Sequence, residues 1–324
     1  MRDKPPLRIA ITLGDVNGVG PEILARALAR PEIAALGEYI VFGDRQVLDS
    51  AFTLVGASLS PNLALRVEDA ACAAPPVQAG VLSAAAGKCA HAWITAAVRA
   101  IQSGEADALV TCPINKEAML LSGHPELGHT ELISQLTNAP RWRMCLYVRD
   151  KLVVHLTGHL PLKDALATIT TVDVSEATRV AHQALLRLGV TRPRIAIAGI
   201  NPHAGEHGAI GAEDDQLLAP AVAACRAEGM ECVGPVSPDA VFRQLWDGAH
   251  DAVIAMYHDQ GHIAMKMVAM DEGASLTLGL PIVRTSPDHG TAFDIAWRGV
   301  AREDSLCAAI KLAARLARHE SRED

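Results

Sequence analysis

Two segments in the last third of the chain carry residues that do chemistry: Met256-Tyr257-His258-Asp259-Gln260-Gly261-His262, and the run from Arg284 to Asp294, which holds Asp288, His289, Gly290 and Asp294. Each follows an apolar run that reads as a buried strand, Ala252–Met256 and Leu276–Val283. The polar residues therefore fall where a strand gives way to a loop, the place where open α/β sheets bind ligands. Polar residues this dense, on loops held by a rigid frame, point to an enzyme.

Other strand ends repeat the pattern. Thr157-Gly158-His159, Asn201-Pro202-His203 and Tyr257-His258 each follow an apolar strand. If those strand ends share one rim, three imidazoles converge, and three protein ligands with an open position is catalytic metal geometry. For any one of them alone, a hydrogen-bonded structural histidine is the alternative. His258 and His262 are spaced for one helix face, but Gly261 between them weakens a helical reading. Gly14-Asp15-Val16-Asn17-Gly18-Val19-Gly20-Pro21-Glu22 follows a strand and opens a helix with Pro21 at its first position. Its helix N-terminus suits an anion, and a plain strand–helix turn is the equal alternative. Lys116 offers a point charge or is a solvated lysine. In Gly128-His129-Thr130-Glu131, Thr130 reads as a helix N-cap, and with His129 it offers donors to an anionic group. Arg284 suits bidentate capture of a phosphate or carboxylate, and Asp294 suits a ribose hydroxyl.

Stepping strands position these groups. Apolar runs recur at Leu7–Leu13, Tyr39–Phe42, Ala108–Thr111, Met144–Val148, Leu152–Leu156, Arg194–Ile200 and Ala252–Met256. Helical patterns between them, Pro21–Ala29, Lys88–Ser103, Val174–Leu188, Asp215–Glu228 and last Leu306–Ala317, predict an α/β fold with a largely parallel sheet. Met144–Val148 and Leu152–Leu156, joined by Arg149-Asp150-Lys151, predict a hairpin and a mixed sheet. Pro61–Ala86 reads as a surface excursion. At 324 residues two domains are expected. The crossings fall near Ser122–Gly128 and Gly248–Asp251, giving 1–122 with 252–324 as one domain and 123–251 as the other.

Half the residues are apolar and only 3% aromatic, and the net charge is −8. With no basic run or finger spacing, nucleic acid is excluded as a partner. No 18-residue apolar span or signal peptide is seen, so no membrane partner is expected and the cytoplasm is the expected location. The seven scattered cysteines form no CxxC pair and predict no disulfide framework.

In this order, Gly-His-Thr-Glu at 128–131, His-Leu-Pro-Leu at 159–162, Asn-Pro-His-Ala-Gly-Glu at 201–206, Tyr-His-Asp-Gln-Gly at 257–261 and Asp-His-Gly-Thr-Ala at 288–292 resemble the 4-hydroxythreonine-4-phosphate dehydrogenase family of pyridoxine and pyridoxal phosphate biosynthesis. The resemblance runs from Gly14 to Gly299. It implies the isocitrate/isopropylmalate dehydrogenase fold, two α/β domains with an active-site cleft between them. It implies NAD, with NADP as the alternative, and one divalent metal (zinc, magnesium or cobalt) on His159, His203 and His258. It further implies a homodimer with a shared active site, one metal ligand coming from the partner subunit. His129, Thr130, Lys266, Ser275 and Arg284 match substrate-binding positions. Lys266, His129 and Asp259 are candidates for proton transfer, and Asp288, Gly290 and Asp294 lie in the loop that binds the nucleotide.

The implied reaction is oxidation and decarboxylation of a phosphorylated 3-hydroxy acid, first 4-hydroxythreonine-4-phosphate, yielding 3-amino-2-oxopropyl phosphate and CO2. Alternatives are a dehydrogenase of 4-phosphoerythronate or 4-phosphothreonate, a cis-dihydrodiol carboxylate dehydrogenase, a metal-dependent hydrolase or lyase without a nucleotide, and a non-catalytic phosphometabolite-binding protein. Two departures from the vitamin B6 pattern stand out. Ser275 replaces an Asn, and His262 with Phe293-Asp294-Ile295-Ala296-Trp297 looks more like a sister branch acting on phosphorylated four-carbon sugar acids.

Overall fold

The computed structural model describes residues 6–320 except 62, 70, 126, 127, 270 and 271. Residues 1–5, where direct entry into the first strand was expected, lie outside the described residues, as does part of the expected crossing at Ser122–Gly128. The described strands, in chain order, are β1 (Arg8–Thr12), β2 (Glu38–Phe42), β3 (Leu65–Glu68), β4 (Ala108–Thr111), β5 (Arg143–Val148), β6 (Lys151–His155), β7 (Arg194–Ala198), β8 (Glu231–Val236), β9 (Ala252–Ala255), β10 (Ala274–Leu278) and β11 (Arg284–Pro287).

Two compact units form, Met1–Pro140 with Leu280–Asp324, and Arg141–Gly279. Both divisions fall later than the crossings read from the sequence. The helix His129–Leu136 packs on the helix Ala84–Gln102 and stays with the first unit, while β10 pairs with β5 and stays with the second.

In the first unit the strand order is β3-β2-β1-β4-β11, with every pairing parallel. Ile9, Ile11, Leu109 and Val110 are fully buried, as expected of strands covered by helices on both faces. With β1 between β2 and β4, the order reverses direction at β1. The carboxyl ends of β1 and β4 therefore flank a switch point, where ligands of such sheets bind.

The second unit has the order β10-β5-β6-β9-β7-β8. Strands β10, β5 and β6 pair antiparallel, and β6, β9, β7 and β8 pair parallel. The expected hairpin of β5 and β6 is present. Arg149 and Asp150 have φ of 46° and 64°, the left-handed pair of a two-residue turn that matches strand twist. Val153, Ala196, Val253, Phe242, Leu245 and Met265 share one core.

Three local expectations need correction. The run Leu276–Val283 is not one strand: Gly279 turns left-handed at φ +82° and Pro281 lacks an N–H, so β10 ends there and Arg284 begins β11. The stretch Pro61–Ala86 contains β3, a short edge strand whose polar alternation hides it. Cys72 and Cys89 are joined in a disulfide, their Cα atoms 5.2 Å apart, because the fold returns the 72 loop to the helix Ala84–Gln102. Sequence spacing carried no signal of that pairing. The other five cysteines are free and buried.

Candidate active site

The anion-binding residues gather in the first unit. Arg284, 4% exposed, donates from Nη2 to Oγ1 of Thr111 at 2.7 Å, which ties the start of β11 to the end of β4. Burial pushes its pKa down to about 10, opposed by the Glu131 carboxylate, so the guanidinium stays charged at neutral pH. The helix His129–Leu136 begins two residues earlier than a Thr130 cap would require. Gly128 is its N-cap, and no side chain caps it. A Cβ on Gly128 would lie 3.2 Å from Cε of Lys116 and from Oε2 of Glu131, so glycine lets the lysine cross this loop. The first-turn N–H groups of the helix are left for another acceptor.

His129 lies in the same cluster. Its Nε2 is enclosed, with no hydrogen-bond partner among the described residues. Burial first, then the charges of Arg284 and Lys116, hold its pKa well below the ordinary histidine range. It is therefore a neutral imidazole at pH 7, able to accept or donate but with no proton to spare. A buried cation, a nearby lysine, a neutral imidazole and an uncapped helix start make a receptor for an anionic group.

Acid should expose the burial of His129. Its pKa is depressed in the fold, so the unfolded chain takes the proton first, at about pH 6.5. Stability is full above that pH and falls as the pH drops toward the folded value, by about 1.4 kcal/mol per unit for one such proton. Denaturant unfolding between pH 7 and 4 should show this slope, reduced by one proton in His129→Asn. Equal slopes in the two proteins would mean that His129 is not held neutral.

The expected nucleotide loop also lies in the first unit, against Gly14–Glu22. That earlier loop is wholly buried, and several of its N–H groups are taken up within the protein: Asn17 N donates to Asp15 Oδ1, Gly18 N to Asp15 O and Val19 N to Thr291 O. The loop serves as a platform. Buried Glu22 accepts from Trp297 N and Gly299 N, both at 2.8 Å, and Trp297 Nε1 donates to Val16 O. Asp294 and Gly290 are exposed on the far side of this clamp, and the backbone N–H of Asp288 donates to Ser305 Oγ.

The imidazoles belong to the second unit. Strands β6, β9 and β7 are parallel neighbours, so the three histidine loops do leave one rim. His159 and His258 come together, ring centroids 5.0 Å apart, on a pocket of about 730 Å³ also lined by Tyr257, Asp259 and Asp239. His258 Nδ1 lies 2.6 Å from Asp259 Oδ1, so the ring donates from Nδ1 to the carboxylate and leaves Nε2 for another contact. The structure thus gives Asp259 an orienting contact. His203 does not join them. It is exposed on a turn in which His203, Ala204, Gly205, Glu206 and His207 all have positive φ. Buried Asp214 holds the turn, accepting from the N–H groups of Ile200 and Asn201.

Two imidazoles fit half of a tetrahedral site. Among the described residues no group of three or more His, Cys, Asp and Glu could hold a metal ion, so a full set needs a ligand from elsewhere. Exposed Lys266 and half-buried Ser275 also lie in this unit.

One histidine escaped the sequence reading. His155, 1% exposed at the end of β6, accepts at Nε2 from His262 Nδ1 at 3.0 Å. Burial, then the neighbouring imidazoles, push its pKa down to about 3. The signal was a histidine closing an apolar strand. The helix His258–Ala269 runs through Gly261 unbroken, against the doubt raised by that residue. A Cβ there would lie 2.5 Å from His155 Nε2, so glycine serves close packing on β6.

A family model for the pyridoxal phosphate biosynthetic protein PdxA matches residues 35–313. The chain is 41% identical over 326 residues to the D-threonate 4-phosphate dehydrogenase of Salmonella typhimurium, covering 95% of this chain and 98% of that one. It is 42% identical over 324 residues to the 4-hydroxythreonine-4-phosphate dehydrogenase of Geobacter metallireducens, covering 96% of each. The solved 4-hydroxythreonine-4-phosphate dehydrogenase of Klebsiella pneumoniae matches with a TM-score of 0.87 at 41% identity, covering 97% of this chain and 99% of that one. A β-decarboxylating dehydrogenase of Thermococcus kodakarensis, 16% identical with a TM-score of 0.51, covers 97% of this chain and 84% of that one and shares the fold. The fold class read from the sequence is borne out.

Proposed function

This chain belongs to the PdxA family and is a dehydrogenase acting on a CH–OH group, and from that premise we propose that it oxidises a phosphorylated four-carbon 3-hydroxy acid with NAD and releases CO2. The observation that carries the substrate class is buried, charged Arg284 beside neutral His129 at the uncapped start of a helix. Such a receptor suits the phosphate. Thr130, one residue into that helix, adds a hydroxyl to it.

His159 and His258 hold the divalent metal, and His203 of a second copy completes the set. What supports a dimer is the apolar surface around the pocket: Leu160, Leu162, Ile263 and Met267 are 50%, 54%, 62% and 81% exposed. A bound metal supplies Lewis acidity, lowering the pKa of the substrate hydroxyl and drawing electrons as CO2 leaves. Asp259 keeps the lone pair of His258 directed outward. Lys266 donates the proton that replaces the lost carboxylate. The loop of Asp288, Gly290 and Asp294, braced by Glu22 and Val16, would hold NAD, which would supply the hydride acceptor.

Two acids fit this chemistry, 4-hydroxythreonine-4-phosphate and threonate 4-phosphate, which differ in a 2-amino or 2-hydroxy group. Ser275 favours the hydroxy acid, because a hydroxyl offers an amine fewer and shorter contacts than the family's Asn amide. Absorbance at 340 nm with NAD, a divalent metal and each acid tests the reading. No reduction of NAD with either acid would reject it. Ser275→Asn should shift the kcat/KM ratio toward the amino acid by about 1 kcal/mol, the scale of one hydrogen bond. An unchanged ratio would make Ser275 a bystander.

A further inference from the structure

His262 has no part in the chemistry proposed so far, yet it lies flat against a ligand. We propose that His262, held in turn by His155, is a positioning residue that fixes the ring plane of His258 and thereby sets the metal affinity of the site. This role rests on His258 being a metal ligand, as proposed above.

His258 opens its helix and His262 follows one turn later, so both side chains share a helix face. Their rings are stacked, centroids 3.8 Å apart and planes 13° from parallel. His262 cannot swing away. It is 8% exposed, and its Nδ1 lies 3.0 Å from His155 Nε2. His155 Nδ1 in turn lies 3.4 Å from the Met144 carbonyl on β5. A carbonyl only accepts, so His155 carries its proton at Nδ1 and offers a lone pair at Nε2. His262 must then donate from its own Nδ1. Ring orientation is thus transmitted from the β5 backbone through two imidazoles to His258.

Gly261 makes this contact possible. A Cβ there would meet His155 Nε2 at 2.5 Å and Val153 Cγ1 at 2.7 Å, which would hold the helix off β6. The two neighbours of His258 divide the work. Asp259 selects which nitrogen faces outward, and His262 restrains rotation of the ring about the Cβ–Cγ bond. Groups that orient a ligand in this way commonly change metal affinity by about 10–100-fold when removed.

Cobalt(II) titration of the full-length protein, read by visible absorption and by competition with a chelator, measures affinity without turnover. His262→Leu should bind cobalt at least about tenfold more weakly than wild type, with an unchanged unfolding midpoint. His262→Phe, which keeps a flat ring over His258, should recover part of the loss. Wild-type affinity in His262→Leu, alongside loss of cobalt in His258→Ala, would overturn the positioning role and leave the metal site standing. Full cobalt binding by His258→Ala would overturn the metal reading itself. If the Leu variant does not fold, nitrogen-15 resonances of the wild-type imidazoles decide the matter. His155 and His262 should each be protonated at Nδ1 alone, and His262 protonated only at Nε2 would refute the brace.

Discussion

Arg284→Ala should lower kcat/KM for the phosphorylated acid by about two orders of magnitude or more, at about 1.4 kcal/mol per decade. The guanidinium is buried beside Thr111 and His129, where water screens it little. Removing one partner of a buried, hydrogen-bonded charge pair costs about 2–5 kcal/mol. Arg284→Lys should restore charge without the planar fork and recover only part of the rate. The same substitutions should barely change the slow oxidation of an unphosphorylated analogue. Stability should move the other way, since burying a charge carries a desolvation cost: Arg284→Met should unfold at the wild-type temperature or above it. Near wild-type kcat/KM for Arg284→Ala on the phosphorylated acid would show that the phosphate is held elsewhere.

If His159, His203 and His258 are the three metal ligands proposed above, alanine in place of any one of them should abolish metal binding and turnover while leaving the protein folded. The sharper test is complementation. His203 does not line the pocket of the other two in its own chain, and the proposed site has it serve a second copy. His203→Ala and His258→Ala proteins, each inactive alone, should regain activity when unfolded together and refolded. Half of the randomly formed dimers are mixed, and each mixed dimer holds one intact site of two. About a quarter of wild-type activity is therefore expected for a two-fold dimer. No recovery in a mixture shown to contain mixed dimers would place all three ligands within one chain.

How far the sequence could be read depended on which forces were local. Strands β1, β4, β6 and β9 were legible because continuous apolar runs bounded by polar loops have few other readings. The hairpin was legible from a turn too short for anything else. Strands β3 and β8 were not: β3 is a short edge strand with alternating charges, and Gly234-Pro235 interrupts the run that forms β8. Arg284 was recognised as an anion anchor but was placed at the wrong end of a strand, because the break at Gly279–Pro281 lies inside an apolar run. The histidines were found as strand-end residues. That His203 would be exposed on a left-handed turn is something nothing in Pro-His-Ala-Gly-Glu signals. The His155–His262 contact joins residues 107 positions apart and exists only once the helix closes on β6.

The turn at 203–207 sets heat resistance against ligand placement. Left-handed backbone costs a non-glycine residue about 1–2 kcal/mol, and His203, Ala204, Glu206 and His207 all adopt it. Selection for thermal hardiness alone would replace Ala204 or Glu206 by glycine and relax the segment. The same replacements would unfreeze the backbone that presents His203. Directed evolution scored on survival after heating would therefore enrich variants that outlast the wild type and no longer bind metal, so such a library has to be scored on metal retention as well.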